Sequence, residues 1–172
     1  MDIRFIRTLE EMRGVLMDPA AAGPDPVYTV YTNLDNEWIN KTELSSGTYN
    51  GEFPKTFGHL HTDGKGETYF VESGTGIIVM QTENEILLKK ITAGEKYVIP
   101  HQYEHCLVNI GNEKFVTFDD HNNPQADYKI VSEKHGLAVY IVNDAGIPKI
   151  VPNLNYSNIP EPKWINANES AS

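Results

Sequence analysis

A chain of 172 residues with 40% hydrophobic and 10% aromatic content can bury a proper core and is expected to form one domain, residues 1–172. Its 24 acidic against 14 basic residues leave a net charge of -10, which excludes nucleic acid or an anionic membrane as the main partner and leaves any anionic substrate to be held locally. No run approaches the roughly 18 apolar residues of a membrane span, residues 1–16 carry acidic side chains where a secretory signal has an apolar core, and the one cysteine, Cys106, reads as a small buried hydrophobe; a cytoplasmic protein is expected.

In chain order, residues 8–18 place Leu9, Met12, Val15 and Leu16 at helical spacing before Pro19, so a short N-terminal helix is predicted within residues 5–20. From Pro26 the pattern changes to short β-prone runs separated by turns, at 27–31, 42–49, 55–61, 67–72, 76–81, 85–91, 96–100, 105–110, 113–119, 137–142 and 147–152. Their spacing predicts an all-β protein, a mostly antiparallel barrel over residues 26–152. Runs 27–31 and 76–81 are apolar enough to serve as exposed edges that pair in a homodimer. The polar tail, 160–172, is expected to be partly disordered, with Trp164 anchoring its start.

In Gly58-His59-Leu60-His61 the two histidines are two residues apart, so on a strand they project from one face and can reach one ion. Glu67 opens the next β-prone run after a turn-rich segment, and a hairpin there returns its carboxylate to the histidines. His105 begins the run 105–110 and lets a distant strand complete the set. Three imidazoles and one carboxylate form a mixed site suited to Fe, Mn, Ni, Co or Zn.

With the glycines and prolines around them, these residues resemble two known motifs. Gly58-His59-Leu60-His61 with Glu67 and Gly74 resembles the first cupin motif; Gly94, Pro100, His105 and Asn109 resemble the second. Within cupins the chain is similar to the cupin-type phosphoglucose isomerases, through residues 7–14, 25–31, 55–59, Glu67-Thr68-Tyr69 and Asp127-Tyr128. The resemblance implies a double-stranded β-helix, or jelly-roll, barrel with a short N-terminal helix. It implies one divalent metal ion, Fe2+ foremost with Mn2+, Ni2+, Co2+ or Zn2+ as alternatives, on His59, His61, Glu67 and His105. The implied reaction interconverts glucose 6-phosphate and fructose 6-phosphate in glycolysis and gluconeogenesis, with Glu67 as catalytic base or as a purely structural ligand.

By the same resemblance, Thr42, Thr56 and Gly58 hold the phosphate, and Tyr28, Tyr69 and Tyr128 line the sugar. Thr56 lies an odd number of residues before His59, so both can face one cavity only if Gly58 marks a bend or bulge; Lys55 is then expected to point to the opposite face, into solvent. Where the isomerases have a histidine before the Asp-Tyr pair this chain has Ala126, and His121 upstream is either its substitute or a loop residue. Rival readings are an Fe(II)-dependent cupin dioxygenase, a non-catalytic sugar-binding cupin, and an isomerase of another sugar phosphate.

Overall fold

The computed structural model describes residues 1–122 and 126–166. The chain opens with strand β1 (Asp2–Arg7) and helix α1 (Leu9–Met12), continued by a 3-10 turn at Arg13–Val15. Thr8 starts the helix through a capping box: its Oγ1 accepts from the Glu11 amide at 3.3 Å, and Glu11 Oε2 accepts from the Thr8 amide at 2.9 Å. Leu9, Met12 and Val15 are buried at the expected spacing, but the helix is shorter than predicted and residues 5–7 are strand. So short a helix has little stability of its own. The chain leaves it where Leu16 turns extended and the Met17 amide donates to the buried Glu52 carboxylate at 2.6 Å.

The strands that follow are β2 (Tyr28–Thr32), β3 (Asn40–Leu44), β4 (Leu60–His61), β5 (Glu67–Ser73), β6 (Thr75–Gln81), β7 (Ile86–Thr92), β8 (Lys96–Ile99), β9 (Glu104–Asn109), β10 (Phe115–Asp119), β11 (Ala126–Asp127), β12 (Val139–Asp144), β13 (Ile147–Pro152) and β14 (Pro162–Trp164), with helix α2 (Lys129–Glu133) before β12. One sheet runs β1-β2-β3-β10-β5-β8 and the other β14-β7-β6-β9. The second continues through bridges from β9 to residues 55 and 59, and β4 pairs with β11. Strands β3, β5, β8 and β10 thus face β4, β6, β7 and β9, the interleaving of a jelly roll. Leu44, Val71, Ile77, Leu88 and Phe115 fill the space between them with no exposed surface. Both faces of β6 and β9 are buried. The later chain closes over β6: the Ala138 amide donates to Gln81 Oε1 at 2.7 Å, and Gln81 Nε2 donates to the Tyr156 hydroxyl at 3.2 Å.

Three expectations are corrected by this topology. Runs 27–31 and 76–81 are not edges: β2 lies between β1 and β3, and β6 between β7 and β9. The first sheet ends instead at β1, whose short apolar run lacks strand alternation. The tail is ordered through Asn166, because Pro162–Trp164 pairs in parallel with Ile86–Leu88; its remainder lies outside the described residues. Backbone pairing holds Trp164, whose side chain is half exposed.

Lys55 is the third correction. It does point away from Thr56, but that face is covered, and its ammonium pairs with Glu52 over the Tyr140 ring, 4.6 Å from the centroid. Breaking one side of a buried pair strands the other charge. Lys55→Met is therefore expected to lower unfolding stability by about 3 kcal/mol in a urea titration, and adding Glu52→Gln to recover part of it; an unchanged midpoint in the single variant would refute the role of the pair.

Candidate functional site

The site is built on an irregularity in the 55–61 segment. Its bridges to β9 join Lys55 to Val108 and His59 to His105, four residues of advance on one side against three on the other. The surplus residue is a β-bulge, and Gly58 absorbs it at φ 91°, in the left-handed region that glycine adopts without strain. Backbone pairing resumes on either side: the Thr56 amide donates to the Leu107 carbonyl at 2.9 Å, and His59 and His105 exchange amide bonds at 3.2 and 3.0 Å. Between them the Leu107 amide turns to the Thr56 hydroxyl, 2.9 Å away. Thr56 Oγ1 accepts that bond and keeps its own proton to donate. The Gly58 amide donates to nothing among the described residues. The shift brings Thr56, Gly58 and His59 to the wall of one cavity.

Four side chains gather beside it. A nitrogen of each of His59, His61 and His105 and an oxygen of Glu67 lie within 4.8 Å of one another. Glu67 Oε2 is 2.8 Å from Nε2 of both His61 and His105, and the His59 and His61 Nε2 atoms are 3.3 Å apart. Bonds of about 2.1 Å at right angles would set neighbouring ligand atoms about 3 Å apart, so this spacing suits one metal ion. His105 Nδ1 faces the Tyr103 carbonyl at 3.2 Å. With the proton there, Nε2 turns a lone pair towards the carboxylate oxygen, and a proton or a cation between them is what makes 2.8 Å favourable.

The electrostatics agree with a cation site. Burial, helped by the charge of His105, pushes His59 down to about 3, so its imidazole is neutral with a lone pair to give. Burial alone would raise the Glu67 carboxyl, but hydrogen bonds from His105 and His61, with charge from His105, outweigh it and hold the group below the usual carboxylate range. A neutral imidazole at His59 and an ionised carboxylate at Glu67, beside the rings of His61 and His105, are a donor set for a divalent ion.

The cavity, about 100 Å³, is lined by every residue expected on the substrate side: Tyr28, Thr42, Thr56, Gly58, Tyr69 and Tyr128, with His59 and Glu67. His61 and His105 stand behind that wall. Thr42 is a buried residue, and its hydroxyl makes no hydrogen bond among the described residues. The Tyr28 hydroxyl accepts from the Phe57 amide at 3.3 Å, and burial pushes its phenol up to about 12. Burial, reinforced by the Glu67 charge, pushes the Tyr69 phenol well up. Tyr128 packs edge-on to Phe57, ring centroids 5.6 Å apart.

His121 lies inside rather than on a loop surface. Its ring stacks on His61 at 3.8 Å, its Nε2 is 3.2 Å from Asp63, and its Nδ1 is buried without a partner among the described residues. Ala126, opposite His61 in the β4–β11 pair, leaves that space open.

Sequence reasoning missed Arg4, Asn40 and Asp119, all of which line the cavity. Asn40 and Asp119 meet across β3 and β10, and Asn40 Nδ2 donates to Asp119 Oδ1 at 2.7 Å. The only signal was alternation: Phe115, Thr117 and Asp119 share a face of one strand.

A jelly-roll barrel enclosing three histidines and a glutamate around one point is a cupin with a candidate metal centre. The chain belongs to the glucose-6-phosphate isomerase (GPI) family, whose family model matches residues 7–156. It is 28% identical over 175 residues to the glucose-6-phosphate isomerase of Pyrococcus furiosus, covering 94% of this chain and 88% of that one. It is 29% identical over 106 residues to that of Sinorhizobium medicae, covering 60% of this chain and only 50% of the relative. Among solved structures, an oxalate oxidase in complex with the substrate analogue glycolate is 17% identical with a TM-score of 0.44, over 59% of this chain and 46% of that one.

Asp119 makes the site's pH behaviour testable. Burial, reinforced by the Glu67 charge, raises its carboxyl from 3.8 to about 7. The folded state then holds the proton more tightly than the unfolded one, so this group's stabilisation is complete below about pH 4 and is lost as pH rises through 7. Asp119→Asn keeps an Oδ1 acceptor for Asn40 and the His121 amide but cannot titrate. In chelator-treated protein, the variant is expected to gain stability relative to the parent from about pH 4 to pH 8; parallel stability curves would refute the assignment.

Proposed function

We propose that this chain interconverts glucose 6-phosphate and fructose 6-phosphate, as a cytoplasmic, single-domain homodimer serving glycolysis and gluconeogenesis. The supporting observation is a cavity with two unlike walls. One carries His59 and Glu67, with His61 and His105 behind them; the other carries the bulge, where the Gly58 amide and the hydroxyls of Thr56 and Thr42 are donors suited to a phosphate. An oxygen-using cupin has no need of the second wall.

On this reading His59, His61, Glu67 and His105 hold one divalent ion, Fe2+ foremost and Mn2+, Ni2+, Co2+ or Zn2+ as alternatives. Such an ion, when bound, would supply Lewis-acid polarisation of the sugar carbonyl and offset negative charge on the neighbouring oxygens. Glu67 takes the proton from C2 of the aldose and returns it to C1, while the hydroxyl proton passes from O2 to O1. Tyr28, Tyr69 and Tyr128 flank the sugar. A hexose phosphate exceeds the closed-in space, so it enters by displacing the exposed Phe5 side chain at the rim.

Fructose 6-phosphate should yield glucose 6-phosphate in a coupled assay, and a chelator should abolish the signal. Oxygen consumption without isomerisation, or equal use of free fructose, would overturn the reading. Glu67→Gln should cut turnover at least about a hundredfold if it carries the proton; near-normal turnover would favour a direct hydride shift. Thr42→Val, which removes a hydroxyl with no structural partner, should raise KM for fructose 6-phosphate about tenfold with metal content unchanged.

The metal assignment has its own test. His59→Ala, His61→Ala and His105→Ala should each lose bound metal by elemental analysis while far-ultraviolet circular dichroism stays that of a folded barrel. Full metal content in any two of them would remove the proposed centre.

A further inference from the structure

We propose that Arg4, on the edge strand β1, supplies the cationic contact for the substrate's phosphate at the cavity rim, an inference that rests on the isomerase reading and adds a binding residue to it.

The need is electrostatic. The protein carries a net charge of -10, and the Glu67 carboxylate lines the cavity a phosphate dianion must enter. Among the lining residues Arg4 is the one lysine or arginine. The chain has three arginines; Arg7 and Arg13 face Glu11 and Glu10, whereas Arg4 has no carboxylate within ion-pair distance among the described residues.

The backbone aims it inward. In the β1–β2 pairing Ile3 opposes Tyr31 and Phe5 opposes Val30, so Arg4 is the extra residue of a bulge, a device that redirects a side chain beside a site. Its Nη1 donates to Asn40 Oδ1 at 2.8 Å. Asn40 cannot turn its amide round, because its Nδ2 is committed to Asp119 Oδ1 at 2.7 Å and the His121 carbonyl at 2.9 Å. One N–H of the guanidinium is thereby fixed, and the rest of the fork remains for a ligand.

Placement agrees with the donors already described. Asn40 and Thr42 lie two residues apart on one face of β3, about 7 Å along the strand. A phosphate held by the Thr42 hydroxyl lies beside a guanidinium fixed at Asn40, and a planar fork suits two phosphate oxygens.

The test compares Arg4→Gln, which keeps an N–H for Asn40 but loses the charge, with Arg4→Lys, which keeps the charge. Measurements are KM for fructose 6-phosphate, Ki for the non-reacting glucitol 6-phosphate, and the ionic-strength dependence of kcat/KM. Arg4→Gln is expected to raise KM and Ki about tenfold, more than it lowers kcat, and to flatten the salt dependence; Arg4→Lys should recover most of the affinity. A wild-type Ki in Arg4→Gln, or equal loss in both variants, would overturn the assignment and leave Arg4 a clamp on Asn40. If the parent protein neither binds glucitol 6-phosphate nor turns over fructose 6-phosphate, the isomerase reading fails first and this inference falls with it; turnover by the parent with an unaffected Arg4→Gln defeats this inference alone.

Discussion

A strand alternates its side chains with a period of two, so a surplus residue between Lys55 and His59 reverses which residues share a face, and the cavity is organised by that reversal. Without it, Thr56 would lie across the strand from His59 and His61. With it, a hydroxyl, a free amide and two imidazoles look the same way. The bulge needs a residue at positive φ, supplied by Gly58, and it needs the Leu107 amide to be satisfied, which the Thr56 side chain does. Thr56 therefore serves the backbone with its oxygen and is still able to serve a ligand with its proton.

The same segment carries charge on both of its faces. On the inner face Glu67 stays ionised against its burial because imidazoles surround it; on the other, Glu52 answers Lys55 and the Met17 amide. Each is a buried carboxylate with its own partners, and both lie along residues 52–67. A shift of this segment would disturb two charge pairs at once, which ties the position of the bulge to the stability of the fold.

What was legible in the sequence is what depends on short separations. His59 and His61 are two residues apart, Glu67 follows across one turn, and the cupin motif spacing brought His105 to them; the structure gathers all four. Residues that become neighbours only through strand pairing were not legible. Asn40 meets Asp119 across 79 positions and Arg4 reaches Asn40 across 36, and neither pairing leaves a periodic trace. Lys55 was misplaced for a related reason: its direction followed from alternation, but whether that face met water depended on residues 136–140 folding back over it. Of the apolar runs taken for edges, 27–31 is central because β1 flanks β2, and 76–81 because β7 and β9 flank β6.

These long-range contacts join into one chain of hydrogen bonds. It runs from Arg4 at the rim through Asn40 to Asp119 and the His121 backbone, and from the His121 ring to Asp63, with that ring stacked on His61. A side chain at the cavity mouth is thereby linked to a histidine of the candidate metal centre through groups that cannot rotate independently. Asn40 is the joint: its oxygen faces a guanidinium because its nitrogen faces two acceptors, so the orientation of Arg4 depends on Asp119 and His121 keeping theirs.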